Sequence, residues 1–110
     1  MSKYRSKKVV VDGLAFDSKK ESNRYCELKM LERAGKIKGL ELQHQFVLQP
    51  PFRKNGKTIR AITYIADFTY YDLEKNKNVV EDVKGYKTDV YKLKKKMFEY
   101  TYPDLTIIEV

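Results

Sequence analysis

The alternation of apolar and polar residues predicts strands over much of the chain. Ile62 to Tyr71 and Asn78 to Gly85 are rich in β-branched and aromatic residues and flank a polar turn, a pattern typical of an antiparallel hairpin. Three further strand-like stretches are Val9 to Phe16 around the turn dipeptide Asp12-Gly13, Leu40 to Phe52 with a bend near Val47, and Leu105 to Val110. We expect the last one to be central and parallel to an earlier strand.

Two other stretches have the end signals of helices. Lys19 to Ala34 contains no Gly or Pro, follows the capping residue Ser18 and stops at Gly35. Asp89 to Thr101 follows the capping residue Thr88. Its apolar stripe at helical spacing consists of Val90, Leu93, Met97 and Tyr100. The predicted order is hairpin, helix, three strands, helix, strand, which indicates an α+β domain with one mixed sheet.

Length and composition limit the organisation of the chain. Its 110 residues predict a single domain over 1–110, with residues 1–8 as a flexible basic arm. The single cysteine, Cys26, cannot form an internal disulfide, which favours a reducing compartment such as the cytoplasm. We find neither a signal peptide nor a stretch long enough to span a membrane. The net charge of +8 favours a polyanionic partner.

The central hairpin carries acids where apolar residues are expected. If its loop closes symmetrically around Glu74 and Lys75, Asp67 lies directly opposite Asp82, and Lys84 lies on the same face as Asp82. Two carboxylates at cross-strand distance repel each other, so a neighbouring positive charge is expected. A divalent cation would supply this charge, and Lys84 would supply part of it.

A third acid is expected near these two. Glu21 lies four residues before Tyr25 and seven before Leu28, which places it at the core-facing edge of the first helix. Its position three residues after Ser18 also fits a helix-capping role, and the two interpretations remain open.

Three carboxylates close together are typical of metal-dependent enzymes that hydrolyse phosphodiester bonds. Glu21, Asp67 and Asp82 are hard oxygen ligands of the kind that Mg²⁺ prefers, whereas the chain has too few Cys and His residues for a zinc site. Lys84 would orient the attacking water or stabilise charge on the phosphate. Glu81 would point to the opposite face and is the second choice as a ligand.

Basic residues supply candidate contacts with DNA. The densest group surrounds the second helix, and a smaller one lies in the basic turn between residues 53 and 60. The candidate DNA-binding residues are Lys87, Lys92, Lys95, Lys96, Arg53 and Lys57. A solvated helix face and a solvated hairpin tip are equally compatible with these two groups.

These motifs resemble those of the PD-(D/E)xK nuclease superfamily. The similar parts are Glu21 on a helix, Ala66-Asp67 on a strand and Asp82-Val83-Lys84 on the next strand. The stretches FDSKKESNRYCELKMLE, ITYIADFTYYD and VVEDVKGYKT are similar to small phage and prophage nucleases grouped as a Holliday-junction-resolvase-like domain of unknown function. The resemblance covers nearly the whole chain. Ala66 replaces the proline of the motif.

The resemblance implies a restriction-endonuclease-like fold and a metal-dependent endodeoxyribonuclease acting in a bacterial host cell, with selectivity for branched DNA. It assigns metal ligation to Glu21, Asp67, Asp82 and the Val83 carbonyl, with Mg²⁺ as cofactor and Mn²⁺ able to substitute. Lys84 corresponds to the catalytic lysine, and Lys87 and Lys92 to auxiliary phosphate-binding positions. A homodimer is expected if the substrate is a four-way junction.

Three other interpretations compete with the nuclease. The acids and Lys84 would form a salt-bridged cluster with no chemical role. Alternatively, the chain would be a non-catalytic nucleic-acid-binding module of phage DNA metabolism that uses its lysines and tyrosines. As a third possibility, its basic face would meet an acidic protein of a phage complex.

Overall fold

The structure is a computed structural model that describes residues 8–110. Most of the predicted basic arm lies outside this range, and Lys8, the described part of it, pairs with Asp17. The described elements are β1 (Val9–Val11), β2 (Leu14–Phe16), α1 (Lys19–Arg33), β3 (Ile37–Gln49), β4 (Phe52–Lys54), β5 (Lys57–Ile59), β6 (Ile62–Asp72), β7 (Lys77–Asp82), α2 (Asp89–Thr101) and β8 (Ile107–Glu109).

The predicted α+β architecture with one mixed sheet is confirmed. The main sheet has the order β3-β6-β7-β8, in which β3, β6 and β7 are antiparallel neighbours and β8 is parallel to β7. The expectation that the last strand is central is wrong, because β8 lies at the edge of the sheet. Since β6 already occupies one side of β7, the crossover through α2 delivers β8 to the other side.

The two helices cover opposite faces of the sheet. Val79 packs in a cluster with Tyr25 and Leu28 of α1, whereas the next residue, Val80, packs with Phe98 of α2. Consecutive side chains of a strand point to opposite faces, so each helix has its own side of β7. The β1–β2 hairpin packs against α1 and forms a sheet of its own.

Several predicted strand bounds were wrong, and the last strand is Ile107–Glu109 rather than Leu105 to Val110. β3 begins at Ile37 rather than Leu40 and ends at Gln49, before the two prolines. Phe52 therefore belongs to β4, and the basic turn forms the separate two-stranded sheet of β4 and β5. β7 ends at Asp82 rather than Gly85. Its ladder with β6 already ends at Glu81, and the backbone N–H of Val83 donates to the Asp67 side chain instead of to a backbone carbonyl of β6.

The apolar face predicted for α2 is wrong. Val90, Leu93 and Tyr100 are exposed, and the helix instead buries Tyr91 and Phe98. The two buried residues are also seven apart and thus share one face, and their rings bury more apolar area than Val90 and Leu93 would. Of the predicted stripe, Met97 alone packs against the core, where it is partly buried. In residues 8–110 no helix has both the length and the apolar character needed to cross a membrane.

Candidate active site

The N-terminus of α1 holds Glu21 against the sheet. The hydroxyl of Ser18 accepts a hydrogen bond from the Glu21 backbone N–H at 3.1 Å, which starts the helix as predicted. The Glu21 residue is only 8% exposed. Burial, together with the nearby charges of Asp67 and Asp17, raises the pKa of its carboxyl to about 7. Glu21 therefore adds a third carboxylate beside Asp67.

Asp67 and Asp82 lie near each other at the end of the central hairpin. The ladder pairs Asp72 with Lys77, as the symmetric turn predicts, and ends at the pair Phe68 and Glu81, one residue short of the two acids. The two carboxylates are close enough for the charge of Asp67 to raise the pKa of Asp82. Asp67 Oδ2 accepts a hydrogen bond from the Val83 backbone N–H at 2.8 Å. Its Oδ1 accepts one from the Gln43 side-chain amide at 3.3 Å. Asp67 thus lies between the two other acids.

Asp82 is the most enclosed of the three carboxylates. It is the last residue of β7 and only 2% exposed. The Tyr64 hydroxyl donates to its Oδ2, and Lys84 Nζ lies 3.3 Å from its Oδ1. The pKa of Asp82 is raised to about 6, because burial and the charge of Asp67 raise it by more than the Tyr64 hydrogen bond and Lys84 lower it.

Lys84 is held in place by an aromatic ring. Its Nζ lies 4.3 Å from the ring centroid of Tyr91, within the range of a cation–π interaction. The Tyr91 hydroxyl donates to Glu109 Oε2 at 2.8 Å, which anchors the ring between α2 and β8. Lys84 thus contacts both a carboxylate and an aromatic face, and its side chain remains 26% exposed.

Glu81 lies on the opposite face from Asp82, as strand alternation predicts. It is 1% exposed, accepts two hydrogen bonds from the Arg24 guanidinium at 2.8 and 2.6 Å, and accepts another from the Tyr70 hydroxyl. All of these contacts belong to the α1 side of the sheet. Glu81 therefore holds α1 in place, and its partners leave it outside the carboxylate cluster.

Two cavities of about 280 Å³ flank the cluster of Glu21, Asp67, Asp82 and Lys84. The first is lined by Asp82 and Lys84 together with Val90 and Lys94 of α2. The second is lined by Glu21 and Gln43 together with Phe16 of the N-terminal hairpin. The cluster is therefore accessible from two sides, one of which has lysines at its wall.

A family model described as "Protein of unknown function (DUF1064)" matches residues 1–110. The chain belongs to the DUF1064 family. No curated protein and no solved structure matches the chain.

A divalent cation in this DUF1064 protein would need oxygen ligands from these carboxylates. Within residues 8–110, no three His, Cys, Asp or Glu side chains form a group that could hold a metal ion as they stand. All four oxygens of Asp67 and Asp82 have partners in this arrangement. The chemistry of the donors fits Mg²⁺, because carboxylates are hard oxygen ligands, and burial together with the charge of Asp67 raises the pKa of Glu21 and Asp82.

The candidate DNA-binding residues fall into three groups. Lys87 and Lys95 pair with Glu109 at 2.8 and 3.3 Å, and these contacts hold the pKa of Glu109 down at about 2. Lys92 and Lys96 are exposed on α2. Arg53 and Lys57 belong to the separate β4–β5 sheet, where the Arg53 guanidinium donates to Thr58 and to the Gly56 carbonyl.

Sequence reasoning missed three residues that shape the site, namely Gln43, Tyr64 and Tyr91. Each contacts an acid or Lys84 from a different element, so no spacing along the chain connects them with the D…DxK pattern. Gln43 also has a left-handed backbone, with φ at 56° in the middle of β3, which is rare for a residue other than Gly. The tyrosine positions carry no signal beyond their type.

Replacing Glu21 with Gln should stabilise the metal-free protein at high pH. The pKa of Glu21 is about 7 in the folded chain against 4.5 ordinarily, so its contribution to stability is complete below pH 4.5 and lost as the pH rises through 7. We expect Glu21→Gln to raise the free energy of unfolding by roughly 1–3 kcal/mol at pH 8 and by less at pH 5.

Urea unfolding in EDTA at both pH values measures this difference. Glu74→Gln, at an exposed position of the β6–β7 turn, is the matched control and should change little. A Glu21→Gln protein that is less stable at pH 8 would show that Glu21 acts as a helix cap only.

Proposed function

We propose that this DUF1064 protein is a metal-dependent endodeoxyribonuclease that hydrolyses phosphodiester bonds of DNA. The observation that supports the proposal most is the juxtaposition of Glu21, Asp67 and Asp82 with Lys84. A chain that needed only stability would gain little from three carboxylates in one partly buried cluster, since burial of like charges opposes folding. Such a cost is typical of functional sites.

Each side chain has a defined part in the proposed reaction. Asp67, Asp82 and Glu21 would hold Mg²⁺, with Mn²⁺ as a substitute, and the Val83 carbonyl would be a further ligand. When bound, the cation supplies positive charge that stabilises the transition state and makes water a stronger nucleophile. Lys84 is the group of the chain placed to orient that water or to stabilise negative charge on the phosphate.

Tyr64 and Tyr91 act through other residues of the site. The hydrogen bond from Tyr64 keeps the Asp82 carboxylate in one orientation, and burial raises the pKa of Tyr64 well above its usual range, so it remains a donor. The Tyr91 ring keeps Lys84 beside Asp82. Both are positioning residues in this proposal.

The charge of the chain supports a nucleic acid as substrate. A net charge of +8 and the lysines of α2 favour binding of a polyanion. The resemblance to phage nucleases supports the finer parts of the proposal: a restriction-endonuclease-like ancestry, a phage or prophage protein in the cytoplasm of a bacterial host, selectivity for branched DNA, and a homodimer on four-way junctions.

A non-catalytic nucleic-acid-binding module is the second candidate. It is favoured by the exposure of Tyr86 and Tyr100, at 83% and 89%, because exposed aromatic side chains suit base stacking. Such a module would bind nucleic acid with a steep salt dependence and would be indifferent to Mg²⁺.

Incubation with duplex, single-stranded and branched DNA distinguishes the two candidates. The nuclease should cut at least one of these substrates with Mg²⁺ or Mn²⁺ and none in EDTA. If the purified protein binds all three and cuts none under any of these conditions, the proposed activity is wrong and the second candidate stands.

A further inference from the structure

The surface of α2 exposes an apolar row that lies mostly outside the core. Val90, Leu93 and Tyr100 are 61%, 59% and 89% exposed, and Met97, which is partly buried against the core, lies between Leu93 and Tyr100 in the row. Tyr86 precedes the helix and is the second most exposed large apolar side chain of the described chain, after Tyr100. We call this row, from Tyr86 to Tyr100, the α2 surface.

Lysines lie beside the α2 surface along the whole helix. Lys92, Lys94 and Lys96 form no ion pair with any residue between 8 and 110. The ligand of this surface must therefore offer negative charge and apolar faces together. A nucleic acid strand with unpaired bases offers both, since its phosphates are charged and its bases stack on aromatic and aliphatic side chains.

The α2 surface is continuous with the carboxylate cluster. Val90 and Lys94 line the same cavity as Asp82 and Lys84. At the other end of the helix, Met97, Tyr100 and Lys96 line a cavity of about 490 Å³ together with Leu48 and Pro50. A strand that enters the site would continue along α2, whose 13 residues span about 20 Å.

A second copy of the chain fits this surface less well. In a two-fold dimer the same patch meets itself, so the unpaired lysines of one α2 would face those of the other. Like charges at such distances repel, and α2 has one exposed acid, Asp89, against the three lysines that form no ion pair.

We propose that the α2 surface binds unpaired bases of single-stranded DNA next to the cleavage site, with Tyr86 and Tyr100 as stacking residues and the lysines as phosphate contacts. The proposal rests on the proposed action on DNA, to which it adds the substrate class. A substrate with a single-stranded segment would engage the whole surface, whereas a fully paired duplex would engage only its lysines.

The test is binding of labelled oligo(dT) and of oligo(dT)·oligo(dA) duplex in EDTA, followed by fluorescence anisotropy. Because EDTA prevents cleavage, failure of the nuclease activity and failure of the binding proposal are separate results. We expect the Tyr86→Ala/Tyr100→Ala double variant to weaken oligo(dT) binding by about 10-fold or more and duplex binding by less than about twofold.

Two control variants are measured beside the double alanine variant. Tyr86→Phe/Tyr100→Phe keeps both rings and should bind oligo(dT) like the original protein. Phe52→Ala/Ile59→Ala removes two exposed apolar side chains of the β4–β5 sheet and should also leave oligo(dT) binding intact.

Three results would overturn the proposal. The first is unchanged oligo(dT) binding by the alanine variant, and the second is an equal loss of binding to oligo(dT) and to the duplex. The third is that the original protein has the mass of a dimer in solution whereas the alanine variant has the mass of a monomer. The last result would assign the α2 surface to a second copy. The variants replace exposed side chains only, and Val90→Ser/Leu93→Ser repeats the test at other exposed positions of the row.

Discussion

Asp82→Asn should abolish the proposed DNA cleavage, with a fall in kcat of at least about 10²–10³-fold. The substitution removes the negative charge that would hold the cation and pair with Lys84. Asn can still accept the hydrogen bond from Tyr64, so the buried contact that orients this position is kept. The fold and the lysines of α2 are unchanged, and DNA binding should therefore persist.

The comparison that isolates this effect uses initial rates of cleavage and the Kd for DNA in the same buffer. Glu74→Gln removes one exposed negative charge elsewhere and should cleave normally. Cleavage by Asp82→Asn at the original rate would refute the assignment of this site. Loss of DNA binding together with cleavage would count against it as well, provided that unfolding curves show a folded variant.

Arg24→Ala should cause the largest loss of stability of any single charge removal. Glu81 is 1% exposed, and both of its oxygens accept hydrogen bonds from the Arg24 guanidinium. Without Arg24 the carboxylate remains buried with only the Tyr70 hydroxyl as a partner. Removing one partner of a buried pair costs about 3–5 kcal/mol, and we expect about 3 kcal/mol because Arg24 is partly exposed.

Urea unfolding at neutral pH measures this loss. The exposed pair between Arg24 and Glu27, on the same helix, provides the control: Glu27→Gln should cost less than about 0.5 kcal/mol. If Arg24→Ala and Glu27→Gln cost the same, Glu81 does not depend on Arg24 in solution, and the account of how α1 is held on the sheet would be wrong.

Turns, helix starts and hairpin register were predicted correctly, because each depends on a few neighbouring residues of the chain. Asp12-Gly13 gives the two left-handed residues that the first hairpin turn requires, with φ at 53° and 77°. Ser18 and Thr88 start the two helices through their side-chain oxygens. Turn symmetry around Glu74 and Lys75 sets the register of the hairpin up to the pair Phe68 and Glu81, next to the two acids.

The buried face of α2 could not be predicted from local signals, because it depends on packing against the rest of the protein. On α2, two sets of apolar residues have helical spacing, and only the space under the helix selects Tyr91 and Phe98 over Val90 and Leu93. The same holds for the site. Asp82 and Lys84 are two residues apart, and the predicted contact between them forms although β7 ends at Asp82. The positions of Tyr64 and Tyr91, in contrast, depend on how elements distant in sequence pack together.

The lysines illustrate a further limit of sequence reasoning. Lys87 and Lys95 belong to the basic group around α2, yet both pair with Glu109, a residue that is distant from Lys87 in sequence and lies on β8. A pattern of charges along one helix does not show which charges a neighbouring strand will compensate. Lys92 and Lys96 remain exposed, and the basic character of the surface rests on them and on Lys94.

The central claim is that Glu21, Asp67 and Asp82 form a divalent-cation site. Anomalous diffraction from crystals soaked in Mn²⁺ tests it most directly, because Mn²⁺ is bound by the same oxygen ligands as Mg²⁺ and scatters anomalously. We predict an anomalous peak between Asp67 and Asp82. The absence of a peak at these carboxylates, in crystals whose site is open to solvent, would contradict the account.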